Sequence, residues 1–93
     1  MKKNRLAYTN GWYINVGHYC IFGSYNTYIA LYDYNTGRIY KDEAYYSSST
    51  SRQYNRWCRE IIGLNPKDKE FIRLRLNLIS NDVLCDYIKR VLK

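Results

Sequence analysis

Residues 27–41 read Thr-Tyr-Ile-Ala-Leu-Tyr-Asp-Tyr-Asn-Thr-Gly-Arg-Ile-Tyr-Lys. Thr27 to Asp33 is rich in the β-branched and aromatic residues that pleated strands favour. Its side chains alternate, with Tyr28, Ala30 and Tyr32 on one face and Ile29 and Leu31 on the other. Asn35-Thr36-Gly37 then supplies residues that accept positive φ cheaply, a strong hairpin signal. Arg38 to Lys41 reads as the returning strand. The preceding residues repeat the pattern. Gly11 to Val16 alternates, with Trp12, Ile14 and Val16 on one face. Gly17 marks a turn, His18 to Phe22 a second strand, and Gly23-Ser24-Tyr25-Asn26 another turn. The expectation for residues 11–41 is an antiparallel meander of three or four strands. Its connections are too short for crossover helices, which excludes parallel pairing within it.

From about residue 50 the period changes. Tyr54, Trp57, Cys58, Ile61 and Ile62 fall at i, i+3, i+4, i+7 and i+8, one apolar stripe of a helix. Thr50-Ser51-Arg52-Gln53 fits a capping box, with Thr50 as cap and Gln53 reaching back to it. Gly63 stands where a helix stops. Asn65-Pro66 resembles another helix start, and Ile72 to Leu78 alternates. The reading there is a helical turn near 66–71 followed by a strand, with helix through 79 as the alternative. Ser80 caps a last helix carrying Val83, Leu84, Tyr87, Ile88 and Val91, with Lys89, Arg90 and Lys93 at its negative pole. The fold class is therefore α+β over residues 1–93: a sheet at about 11–41, and two or three helices within 50–93 packed on one of its faces.

Ninety-three residues support one modest core. The net charge is +7, and it is uneven. Residues 1–46 hold five Lys or Arg against three Asp or Glu, whereas residues 47–93 hold ten against five. Such a balance favours phosphate-rich or acidic partners. Twelve tyrosines exceed ordinary usage, an excess that an AT-rich coding sequence would also produce. No run approaches the roughly 20 apolar residues that span a bilayer, so no membrane partner is expected. Cys20, Cys58 and Cys85 are odd in number and form no C-x-x-C pair, which fits a reduced, cytoplasmic protein.

Catalytic and metal chemistry find little support. His18, Cys20, Cys58 and Cys85 lack the paired ligand spacing of zinc sites. A cysteine nucleophile would need His18 oriented by an acid, and none adjoins it. Asp33, Asp42, Glu43, Glu60, Asp68, Glu70, Asp82 and Asp86 show no paired arrangement, and no glycine loop cradles phosphate. No cofactor and no enzymatic activity are expected.

The signal above background is electrostatic. A helix opening at Thr50 presents unpaired amides and a partial positive charge, a natural anion site. Ser49 and Ser51 add hydroxyls. At about 100° per residue, Arg52, Arg56 and Arg59 form a solvent-facing row opposite the apolar stripe. Guanidinium forks match phosphate, and Tyr45 and Tyr46 offer stacking surface. The plainer reading of the same residues is a capped amphipathic helix with a solvated face, and tyrosines chosen as strand formers.

Ser24-Tyr25-Asn26-Thr27 followed by Ile29-Ala30, then Tyr45-Tyr46-Ser47 and Thr50-Ser51-Arg52, resembles a group of small, uncharacterised phage and plasmid proteins. These carry an S-Y-N-T segment before an apolar strand and a Y-S-x-T-[TS]-x-[RK] segment opening a helix. The resemblance spans residues 11–63. Many relatives have His after the basic residue, where this chain has Gln53. The resemblance implies a phage context, in which small non-enzymatic proteins engage host machinery. The resulting expectation is an accessory protein that binds RNA or a nucleoprotein and inhibits a host defence complex, in the manner of an anti-CRISPR. The alternative partner is a protein, met through a tyrosine-rich face.

Overall fold

The computed structural model describes residues 2–6 and 9–93. Among the described residues, six strands form one sheet in sequence order. They are β1 (Asn4–Arg5), β2 (Gly11–Val16), β3 (Tyr19–Ser24), β4 (Thr27–Asp33), β5 (Arg38–Asp42) and β6 (Leu76–Ile79). The first five pair antiparallel as the alternation predicts. The sheet exceeds the expected meander by a strand at each edge. β6 pairs parallel to β5, with Ile39 opposite Leu76 and Asp42 opposite Ile79. Residues 43–75 supply the long crossover that a parallel pair requires.

That crossover contains α1 (Ser48–Arg56), a π-helical turn (Trp57–Ile61) and α2 (Lys69–Leu74); α3 (Asn81–Leu92) follows β6. The expected helical turn at 66–71 begins later. Asn65 caps a turn by accepting from the Lys67 amide, and Asp68 then caps α2 by accepting from Glu70. The strand within 72–78 shortens to match.

The helices do not share one face of the sheet. Trp57 and Cys58 pack with Phe71, Cys20, Phe22, Tyr32 and Ile39 on one side. Leu84 and Ile88 of α3 pack with Trp12, Ile14, Ile21 and Leu31 on the other. The reason is in the strands, whose alternate positions are apolar in both directions, so each face needs its own cover. Val83, read as part of the inner stripe of α3, is exposed instead.

One irregularity decides which residues sit near α1. Phe22 pairs with Ala30 but Gly23 pairs with Tyr28, so Ile29 is an extra residue in β4. A bulge of this kind turns two successive side chains toward one side. Ile29 therefore joins Ala30 and Tyr32 in the cluster under α1, while Tyr28 joins Leu31 under α3. The strict alternation read from the sequence fails here for that reason.

Gly23 lies against the indole of Trp12, and a methyl added there would overlap its six-membered ring. Trp12 in turn donates its Nε1–H to the carbonyl of Tyr25 at 2.7 Å. Tyr25 occupies the first position of the two-residue loop between β3 and β4, at φ 54°. For a residue with a Cβ this left-handed conformation costs about 1–2 kcal/mol. The Tyr25 amide is also held, donating to the Asn10 carbonyl at 3.1 Å. Replacing Gly23 with Ala should displace the indole and destabilise the protein by about 1–3 kcal/mol, the usual cost of overpacking. Chemical denaturation followed by tryptophan fluorescence measures it, and an unchanged midpoint would contradict the packing described.

Candidate nucleic-acid interface

The amino end of α1 sets the site, and it begins three residues before the expected Thr50. Ser47 is the cap, with extended backbone and its Oγ accepting from the Thr50 amide at 3.1 Å. The run Ser47-Ser48-Ser49-Thr50 offers four residues able to cap. Tertiary packing selects among them, because Thr50, Gln53 and Tyr54 must all face the sheet. Thr50 is thus buried within the first turn and is no surface anion ligand. Ser48 and Ser49 are exposed. Their amides precede the helix's own hydrogen bonds and carry its positive pole.

Gln53 does not reach back to the helix start. Its Oε1 accepts from the Ser24 hydroxyl at 2.6 Å, and Ser24 Oγ also lies 3.5 Å from Thr50 Oγ1. All three side chains are buried. They bolt the loop between β3 and β4 to α1. On the surface directly above, Tyr25 follows Ser24 and Arg52 precedes Gln53 in the chain.

An open cleft of about 380 Å³ lies there, lined by Thr9, Asn10, Tyr25, Ser49, Arg52, Gln53 and Arg56. A second hollow of about 330 Å³ shares Asn10 and Tyr25 and adds Lys3, Arg5 and Trp12. Lys3 Nζ stands 4.4 Å from the Trp12 ring centre, a cation–π contact. Arg5 donates from Nε to the Thr9 carbonyl at 2.9 Å. Among the described residues no carboxylate lines either hollow. Arg56 does meet one nearby, pairing through Nε with Glu60 Oε2 at 2.6 Å on the exposed helix surface.

The eight residues singled out in the sequence therefore separate. Ser49, Arg52 and Arg56 share the cleft. Tyr45, Tyr46, Thr50 and Ser51 line a smaller hollow of about 150 Å³ that also contains Lys41, Tyr54 and Asn55. Arg59 is exposed but lines neither, because the π-helical turn after Arg56 is wider than an α-turn and breaks the 100° row. Tyr25, Asn10, Lys3 and Arg5 were missed. The turn residue Tyr25 and the basic cluster at 2–5 were visible, but nothing local says that they lie beside α1.

Tyr46 is anchored at its hydroxyl. It donates to Asp42 Oδ2 at 2.5 Å, and the same carboxylate accepts from Asn81 Nδ2 at 2.7 Å and from the Ala44 amide at 2.9 Å. Burial of Asp42 pushes its carboxyl upward. The bonds from Tyr46, Ala44 and Asn81 outweigh that and hold it below the usual carboxylate range. The hydrogen bond to Asp42, followed by burial, raises the Tyr46 phenol to about 12. Tyr45, 74% exposed, lies 3.3 Å from the Ser48 hydroxyl.

The groups weighed for metal or nucleophilic chemistry lie elsewhere. Cys20 is buried, accepts from Trp57 Nε1 at 3.3 Å, and is pushed by burial to about 11. Burial likewise drives Cys58 to about 12. At both positions burial favours the neutral thiol over the thiolate nucleophile. His18 faces Asp33 at 3.8 Å. Among the described residues no three His, Cys, Asp or Glu side chains gather as a metal site, and no helix is long and apolar enough to cross a membrane.

The model of a family of unknown function (DUF8033) matches residues 1–73, a stretch that ends within α2. It contains every residue of the basic groove. No curated protein and no solved structure matches the chain.

Two outcomes follow from these contacts. In a double-mutant cycle, Gln53→Ala and Ser24→Ala should each cost about 1–3 kcal/mol as the buried partner is orphaned. The double variant should cost clearly less than their sum, whereas strict additivity would mean the two groups do not interact. For Asp42, a depressed folded pKa stabilises the native state above the ordinary carboxylate value of 3.8. That contribution is lost as the pH falls through the lower folded value. Acid unfolding below about pH 4 should therefore lose part of its steepness in Asp42→Asn.

Proposed function

We infer, for a chain that belongs to that family of unknown function, a non-catalytic role in binding RNA or a nucleoprotein through the groove between α1 and the β3–β4 loop. The observation that carries this reading is the pairing of Arg52 and Arg56 on one cleft with an exposed Tyr25 and, among the described residues, no lining carboxylate. Guanidinium groups and the positive end of α1 attract phosphate. An aromatic face beside them suits unpaired bases. Lys3 and Arg5 extend the positive field past Tyr25.

The resemblance to small phage and plasmid proteins gives this surface a setting. In the cytoplasm of an infected host, an RNA-containing defence complex such as a CRISPR effector presents the phosphate that the groove would engage. Inhibition of such a complex needs occupation of its nucleic-acid path and no chemistry. A purely protein-binding role draws on a different observation: Ile72, Leu74 and Leu78 are exposed around the β6 edge. Contacts of that kind are largely indifferent to salt, which separates the two readings.

Binding of fluorescein-labelled oligo(U) RNA, followed by anisotropy across a salt series, should weaken steeply as salt rises. For single strands the logarithmic slope is about −0.7 per phosphate neutralised. The variant Arg52→Ala/Arg56→Ala should reduce that slope by about 1.4, while circular dichroism should show the fold retained, since Arg52 is exposed and Arg56 half-buried outside the core. Arg59→Ala should have a smaller effect. Undiminished binding by the double variant would remove the groove as the site.

A further inference from the structure

The loop between β3 and β4 places tyrosine where glycine would be at ease. Tyr25 holds φ 54°, a conformation that disfavours any side chain and bulky ones most. The ring brings no compensating burial: it is 61% exposed. What holds the strained residue is its backbone, gripped by the Trp12 indole at the carbonyl and by Asn10 at the amide. Gly23 keeps the indole in place from below. On the far side, the Ser24–Gln53 bond fixes the loop against α1. Three separate contacts thus immobilise a residue whose side chain points to solvent.

Its position explains what such a residue is good for. Tyr25 lines both hollows of the groove, with Arg52 and Arg56 on one side and Lys3 and Arg5 on the other. We propose that Tyr25 is a pre-set stacking platform that makes this groove selective for single-stranded nucleic acid, an assignment that rests on the reading of the groove as a phosphate-binding surface. An unpaired base can lay its face on the phenol ring while the phosphates before and after it meet cations on either flank. Bases within a duplex have both faces covered by their neighbours and cannot do so. The two-residue loop itself calls for positive φ at this position, and tyrosine stands there in place of glycine. A rigid ring also loses little freedom when a base lands on it.

The test uses the strain itself. Tyr25→Gly relieves the backbone and should give a thermal midpoint equal to or above that of the wild type. It should nevertheless bind labelled oligo(U) about tenfold or more weakly, the loss expected for one base–aromatic stack. Tyr25→Phe should bind oligo(U) like the wild type. A blunt RNA duplex of equal phosphate number should bind more weakly than oligo(U) and be indifferent to Tyr25→Gly. If Tyr25→Gly binds oligo(U) normally, or if duplex and single strand bind alike, the platform is wrong while the phosphate groove stands. If Tyr25→Gly lowers the midpoint, the ring is structural and the assignment fails. If the wild type binds neither RNA but takes up labelled poly-glutamate, the nucleic-acid reading fails altogether.

Discussion

The surface of this protein depends on a hydrogen bond that never reaches it. Ser24 at the end of β3 and Gln53 in α1 are 29 positions apart, and their buried 2.6 Å contact ties a hairpin tip to a helix flank. A buried hydroxyl or amide left without its partner costs far more than an average hydrogen bond contributes, so the contact selects one placement of the loop against the helix. Each partner's chain neighbour is then carried to the surface at a set position. Tyr25 and Arg52 become adjacent because Ser24 and Gln53 are bonded. The β3–β4 turn and the first turns of α1 meet at this contact. Position 53 is thereby a buried hydrogen-bonding position, whatever titrates elsewhere.

The sheet supplies the second constraint. With apolar side chains alternating on both faces, it must be covered twice, by α1 with its π-helical turn and α2 on one side and by α3 on the other. Covering both faces within one chain requires a segment that leaves one face and later returns to the other. The parallel strand β6 does this: it takes the chain from the crossover helices to α3 across the sheet edge. Ile29, displaced by the bulge, fills the space between β4 and α1 beside Tyr54. The groove is thus the seam between a hairpin tip and a helix that the two-layered cover holds in place.

Local patterns made much of this legible. The hairpin at 34–37 was readable because Asn35 and Gly37 have conformational demands that nothing distant can override, and Gly37 indeed sits at φ 73°. The stripe of Tyr54, Trp57 and Cys58 was readable because three buried positions at helical spacing have no other use. Three things were not readable. The start of α1 is a contest among four similar residues, decided by where Thr50 and Gln53 must point. The row of three arginines assumes a uniform helix, and the π-helical turn breaks it. The cleft neighbours of Arg52 from outside α1 are Thr9, Asn10 and Tyr25, and no spacing rule within one segment reports on another. Tyr45 and Tyr46, beside the helix start in sequence, turn instead to its opposite flank.

The pairing of Arg56 with Glu60 bears on how the groove handles charge. An exposed i, i+4 pair contributes only about 0.3–0.5 kcal/mol, because water already screens it. On the proposed reading, a phosphate oxygen entering beside Arg52 would meet two guanidinium groups and the positive pole of α1. On that reading this weak exposed pair would not bar phosphate from the groove, and binding would release counterions. Glu60 helps to orient the Arg56 side chain, so less freedom would be lost on such binding. On the proposed reading the pair would leave the groove open to phosphate, and discrimination between partners would fall to the ring of Tyr25.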